Sequence, residues 1–324
     1  MSIVWQRVLL FLVPLAIAVL AKDTPYVLTL LTFALINGVV TMATCFSMGR
    51  AGQITLAQAG FVAIGAYCAM LLNLRLGLPF WVGLPAAIVL SGVIGYLLSK
   101  PIMKLKGHYM ALVTLAFSLV VAEVAMHWTS LTNGASGLFG VQLPHLPWLS
   151  FSPQFEFALM LTVYWMAVYL FADNLIRSRY GRAMQAQKHS DAGAQACGID
   201  TVRVKTEAVV ISAAMMGGAG AFYAYFIRYI GPESFTIEMS ITIIAMAILG
   251  GITDLRGAIV GSALLTVLNE PLRAYPTIQP MVYAIIIMAA IIFLPRGIVP
   301  SMIEAATRRK LSRPSPSPRT GVPE

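Results

Sequence analysis

Ten apolar stretches, joined by short polar segments, take up most of this chain and limit its fold more than any other feature. They run at about 3 to 21, 26 to 48, 54 to 73, 78 to 99, 109 to 127, 155 to 172, 207 to 230, 238 to 252, 257 to 272 and 278 to 294. A helix crosses a bilayer with about 20 apolar residues. A soluble domain carries about 25% charged residues; here 11% are charged and 58% are hydrophobic. The expected fold is therefore all-α, a polytopic transmembrane helix bundle of about ten spans. The stretches at 54 to 73, 238 to 252 and 257 to 272 are short or interrupted by glycine, which marks them as candidates for broken or re-entrant helices.

The net charge of +9 raises the question of nucleic acid, and the positions of the charges answer it. With the amino terminus on the cytoplasmic side, inner segments hold 18 of the 22 Lys and Arg residues, among them Arg7, Arg50, Lys100, Arg177, Arg182 and Arg256, and outer segments hold only Lys22, Arg75, Arg228 and Arg273. The excess of basic residues marks the cytoplasmic side, so both termini are expected in the cytoplasm, with Gly134 outside and Lys188 inside, and no nucleic acid is called for. A competing reading of residues 1 to 21 is a cleaved signal peptide, since Arg7 precedes an apolar run that ends in Val19-Leu20-Ala21. Cleavage would leave nine spans.

Residues 1 to 307 read as one membrane domain, and residues 308 to 324, basic and rich in Pro and Ser, as a disordered cytoplasmic tail. Between 124 and 155 no Asp, Glu, Lys or Arg occurs, and the glycines and prolines there break any continuous helix. An outer loop at about 128 to 154 is expected, with Trp128, Trp148 and Phe151 at headgroup level. It reads as an interfacial cap or as a docking surface.

Small residues recur every fourth position in the fourth span, at Gly83, Ala87, Ser91 and Gly95, and again at Gly217 in the seventh and at Gly257 and Gly261 in the ninth. Such stripes let helices approach closely in lipid, where packing drives association. Ionisable residues at membrane depth are functional suspects. Glu123 lies four residues before His127, a spacing that places the two on one helix face. With Thr55 and Gln58 they are the candidate translocation-path residues, although a structural pair would also account for Glu123 and His127.

The inner loop at about 173 to 206 is the longest polar segment. Residues 182 to 197 read as mostly helical with Gly198 as the stop, either an ordinary solvated connector or a lever pressing on a partner. A Gly-x-x-x-x-Gly-Lys phosphate loop, a His-Glu-x-x-His pair and a Gly-x-Ser-x-Gly elbow are all missing from the sequence. The four histidines and the three cysteines Cys45, Cys68 and Cys197 are dispersed. No catalytic residue, cofactor or metal site is expected, and any use of ATP requires another chain.

The run Gly49-Arg-Ala-Gly-Gln-Ile-Thr-Leu-Ala-Gln-Ala-Gly-Phe-Val-Ala-Ile-Gly-Ala-Tyr67 resembles the third-span motif of branched-chain amino-acid ABC transporter permeases, in their LivM-like branch. Gly107 to Phe117, Trp128 to Leu138, Gly181 through Gly198-Ile-Asp to Gly220, Pro232-Glu-Ser-Phe235, Leu249-Gly-Gly251 and Gly257 to Leu265 continue the resemblance in order. It implies an inner-membrane permease for leucine, isoleucine and valine or a related small solute. It also implies a second permease subunit, two cytosolic ABC ATPases and a periplasmic solute-binding protein, with lipid around the bundle. Gly181, Arg182, Ala192, Gly198 and Ile199 would form the loop that meets the ATPase. Asp254-Leu-Arg256 departs from the usual small neutral turn after the double glycine, and Leu119 and Ala122 stand where relatives often carry charges, which leaves the solute open. The rival class is an ion-coupled secondary transporter or channel, for which Glu123 and His127 would be the coupling groups.

Overall fold

The computed structural model describes residues 3–22, 24–103, 108–144, 151–272, 279–293 and 297–302. The tail at 308 to 324, Lys104, Lys106, His145, Trp148, Arg273 and Arg296 lie outside the described residues. A helix covers each of the ten apolar stretches: α1 (Ile3–Leu20), α2 (Pro25–Thr44), α3 (Gln58–Leu76), α4 (Phe80–Ile102), α5 (His108–His127), α7 (Pro153–Arg177), α10 (Thr201–Ile227), α11 (Ile237–Gly250), α12 (Leu255–Leu272) and α13 (Gln279–Phe293). Three short helices complete the set, α6 (Thr129–Thr132) on one end of the bundle, and α8 (Arg179–His189) and α9 (Asp191–Ala196) on the other. Seven helical segments among the described residues are long and apolar enough to cross a membrane: Pro25–Arg50, Gln58–Leu76, Phe80–Ile102, Tyr109–His127, Pro153–Arg177, Thr201–Ile227 and Pro232–Gly250. The chain is an all-α membrane bundle.

The helix ends follow from local chemistry. Pro25 opens α2 at a position where its missing N–H costs nothing. Gly77, at φ +63°, closes α3 in the left-handed conformation that glycine adopts freely. Beyond Thr44 the second helix widens into a π-helix at Cys45–Arg50, and an irregular stretch at 51 to 57 follows before α3 begins.

The core of the bundle is α10, which packs against α4 and α3. The four-residue stripe of α4 is its buried face: Gly83, Ala87, Ser91 and Gly95 are all buried, while Val82, Val89, Val93 and Tyr96 point outward. Gly83 abuts Ala69 of α3, and Gly95 abuts Ala213 of α10. At Gly217 the approach is closest, since an added Cβ would collide with Ser91 Oγ and lie 2.7 Å from the Ala87 carbonyl. Gly257 and Gly261 play the same part between α12 and α11, where an added Cβ at Gly257 would stand 2.5 Å from the Gly250 carbonyl. Aromatic rings fill the space beside this seam, with Phe80, Phe157 and Tyr164 all packed on Phe222.

The segment from 128 onward is more ordered than a neutral loop. After α6, Asn133 and Gly134 turn the chain through positive φ, and the two-residue strand β1 (Leu138–Phe139) pairs antiparallel with β2 (Tyr229–Ile230), Leu138 opposite Ile230. A strand of two residues carries no readable periodicity. Trp128, Phe139 and Phe151 are exposed on this cap, and Lys22 sits 4.4 Å above the Phe151 ring. Arg75 donates to the Ser130 carbonyl at 2.8 Å. The opposite end carries Arg7, Arg50, Lys100, Arg177 and the α8–α9 segment, so the described basic residues are sorted between the two ends.

Candidate functional site

Two features stand apart from plain helix packing: the irregular stretch at 51 to 57, whose Gln53, Thr55 and Ala57 are buried, and the α8–α9 segment on the basic end. In hydrocarbon every backbone polar group needs an internal partner, so irregular chain survives there only when protein groups satisfy it. Hydroxyls from distant helices do this. Leu56 N–H donates to Thr114 Oγ1 at 2.9 Å, Ser118 Oγ donates to the Leu56 carbonyl at 3.0 Å, and Ala59 N–H donates to Ser240 Oγ at 3.0 Å. Thr55 and Gln58 are buried beside them, with Gln58 Nε2 donating to the Thr55 carbonyl at 3.0 Å. Gln58 Oε1 has no partner. It borders a cavity of about 10 Å3 lined by Thr55, Ser99, Thr114 and Ser212 together with apolar side chains. That is room for one water, so the hydroxyl-lined space is closed.

Glu123 and His127 do not join Thr55 and Gln58. Their side chains approach to 3.3 Å, as the i,i+4 spacing predicts, but both are largely exposed, at 71% and 79%, on α5. His127 Nδ1 also lies 3.0 Å from the Glu123 carbonyl. Two buried carboxylates escaped the sequence reading. Glu156 is fully buried in the first turn of α7 and accepts from Phe151 N–H at 3.3 Å. Asp173 near the other end of α7 accepts from Arg177 Nε at 3.0 Å and from Arg7 Nε at 3.1 Å. The Asp173 and Arg177 spacing of four was a usable signal; Arg7, so far away in sequence, offered none.

The 182 to 197 segment is two helices rather than one. Ser190 breaks it, adopting an extended backbone at φ −157° while its Oγ accepts from Gly193 N–H at 3.0 Å and so caps α9. Ser178 caps α8 in the same way through Tyr180 N–H at 3.1 Å. Gly198, at φ +78°, closes α9, and Ile199 N–H returns to the Ala194 carbonyl at 3.0 Å. Gly181 is buried against α7, where an added Cβ would collide with the Ile176 carbonyl. Ile199 is half-buried against the core, while Arg182, Ala192 and Gly198 are exposed. Gly181 and Ile199 thus fix the segment to the bundle, and Arg182 and Ala192 are left facing out. The Tyr180 hydroxyl donates to the Val204 carbonyl at 2.9 Å, and burial pushes its pKa up.

The two features touch. Lys188 Nζ donates to the Gly49 carbonyl at 2.6 Å, and the buried Gln187 Nε2 donates to the Ala51 carbonyl at 3.3 Å. The surface segment is therefore bonded to the chain that runs directly into Thr55 and Gln58.

Residues 26–295 match the family of the permease component of branched-chain amino acid transport systems. The chain belongs to that family. Among similar proteins is the high-affinity branched-chain amino acid transport system permease protein LivM of Salmonella typhimurium, 30% identical over 88% of this chain and 74% of its own length. The LivM protein of Escherichia coli K12 is 30% identical over 90% of this chain and 75% of its own length. The LivH permease of the same organism is 27% identical over 83% and 91%. No solved structure matches. In this permease the irregular 51 to 57 stretch and the α8–α9 segment both fall within the matched residues.

Proposed function

We propose that this chain is the membrane subunit of an ATP-binding-cassette importer in a bacterial inner membrane, passing branched-chain amino acids or a related small solute delivered by a periplasmic binding protein. All ten helices cross or enter the bilayer, with both termini in the cytoplasm and the α8–α9 segment on the cytoplasmic side; the sorting of the basic residues supports this. A second permease of the same family completes the core, since relatives named LivM and LivH resemble this chain alike. Two ATPases meet the exposed face of α8–α9 around Arg182 and Ala192.

The observation that carries the reading is the bonded contact of Lys188 and Gln187 with the Gly49 and Ala51 carbonyls. Motion of the surface segment, driven by ATPases closing and parting, is passed to the irregular backbone that leads into Thr55 and Gln58. The cavity beside Gln58 is closed here; shifting residues 51 to 58 would open it. An ion-coupled reading would run through Glu123 and His127, whose exposed side chains on α5 stand apart from the cavity beside Gln58.

The test is Lys188→Met in the complete assembly. The variant keeps the aliphatic stem and loses the bond to Gly49. Expression and solute docking should persist while solute-stimulated ATP hydrolysis falls severalfold. Stimulation at the wild-type level would remove this contact from the mechanism.

A further inference from the structure

On the basic end of the bundle a polar cavity of about 330 Å3 lies between the last turns of α7, the π-helical turn after α2, α8 and the turn that opens α12. Three guanidinium groups reach it from three separate elements: Arg50 from the π-helix, Arg177 from α7 and Arg256 from α12. The two carboxylates there are already engaged. Asp173 holds Arg7 and Arg177, and Asp254 Oδ1 accepts the backbone N–H of Arg256 at 3.0 Å. With Arg7 included, four cations face two anions among the described residues, an excess of positive charge. Tyr169 of α7 lines the same cavity. Arg50 Nε is shut off from solvent and has no hydrogen-bond partner among the described residues. A buried charged donor left without an acceptor is costly, and an anion in the cavity would supply the acceptor.

We infer that this cavity binds a phosphate group, with Arg50, Arg177 and Arg256 as its donors. Planar guanidinium forks converging from three directions suit a tetrahedral oxyanion better than a flat carboxylate, and arginine matches phosphate through paired N–H bonds. The volume exceeds what one phosphate needs and admits a small headgroup with it. Basic pockets between helices at the cytoplasmic surface of a bilayer hold anionic lipid headgroups, and a free phosphate offers the same oxygens. Gln185 of α8 also lines the cavity, so an occupant would touch the surface segment and the bundle together.

The full chain, purified into nanodiscs of neutral phosphatidylcholine, is titrated in one arm with phosphatidylglycerol and in the other with inorganic phosphate, and thermal unfolding is followed. Trp165, stacked on Tyr169 with ring centroids 6.2 Å apart, serves as a second optical reporter. Stabilisation by phosphatidylglycerol alone identifies a lipid phosphate, and stabilisation by millimolar inorganic phosphate identifies the free anion. Arg50→Gln and Arg256→Gln should each weaken the apparent affinity about tenfold or more, the size of one lost charge-assisted hydrogen bond. Arg179→Gln, exposed on α8 outside the cavity, should not. Arg256 also belongs to the turn that opens α12, where its N–H bonds Asp254, so Arg50→Gln decides the matter if Arg256→Gln fails to fold. Stabilisation by neither arm, or an equal loss in Arg179→Gln, would overturn the inference.

Discussion

Gly198 ends α9 at φ +78° with no atom within 4 Å of where a side chain would begin. A substitution there meets no obstacle, so its cost is conformational strain alone. A residue with a Cβ in the left-handed region pays roughly 1–2 kcal/mol, and a β-branched one roughly 2–3 kcal/mol. Alanine recovers part of this, about 0.4–1 kcal/mol, through the smaller entropy of its unfolded chain. Gly198→Ala should then loosen the end of α9 by about 1 kcal/mol, near fivefold, and Gly198→Val by tens of fold, whereas Gly198→Asn should stay close to wild type because asparagine tolerates this region. Hydrogen exchange at Gly198 and Ile199 reads the effect directly, since their N–H groups bond to the Gln195 and Ala194 carbonyls at 2.9 and 3.0 Å. Solute-stimulated ATPase activity of the assembly should fall in the same order, with insertion into the membrane unchanged. Wild-type protection in the valine variant, or equal damage from asparagine and valine, would refute the reasoning.

Gly217→Ala should lower thermal stability in nanodiscs by about 1–3 kcal/mol, an overpacking cost, because the new methyl meets Ser91 Oγ; Ser91→Gly in the same chain should restore part of it, and full additivity of the two changes would count against the α4–α10 contact. For topology, single cysteines are best placed at Ser136 and Ala192, both exposed, in a background without Cys45, Cys68 and Cys197; they should react with impermeant reagents from opposite sides, and labelling of both from outside would reject the orientation. Exchanging the binding protein for a paralogue that docks equally well should change which solute is imported, because the described interior offers few fixed charges to select one. Glu123→Gln, altering an exposed pair on α5, should change the uptake rate and leave the ranking of solutes intact; a reordered ranking would place selectivity in this chain.

The apolar stretches were legible as helices because a long apolar run admits few other structures, and helix α1, at Ile3–Leu20, matches the stretch read at 3 to 21, although seven rather than ten segments among the described residues are long and apolar enough to cross a membrane. The α4 stripe was legible for a related reason: a period of four in small residues survives into packing. The stretch at 54 to 73 was legible as a candidate for a broken helix, but the place of the break at 51 to 57 was not, since Ile54, Leu56 and Ala57 suit a helix and the hydroxyls that bond Leu56, on Thr114 and Ser118, lie far along the chain. The break at Ser190 was hidden by its alanine-rich neighbours, although a serine three residues before the N–H it caps was there to be seen. Glu123 and His127 show the limit of spacing: it gave their pairing and could not tell which way that face of α5 points. The cavity of Arg50, Arg177 and Arg256 depends on three elements meeting, and no local pattern announces it.

The central claim is that this chain moves solute only as part of an ATP-driven assembly. Proteoliposomes holding this permease with its partner permease and ATPases, loaded with ATP and supplied outside with binding protein and labelled leucine, should accumulate the label. Omitting ATP, the ATPases or the binding protein should each abolish accumulation. Accumulation by this chain alone under an imposed proton or sodium gradient would contradict the account.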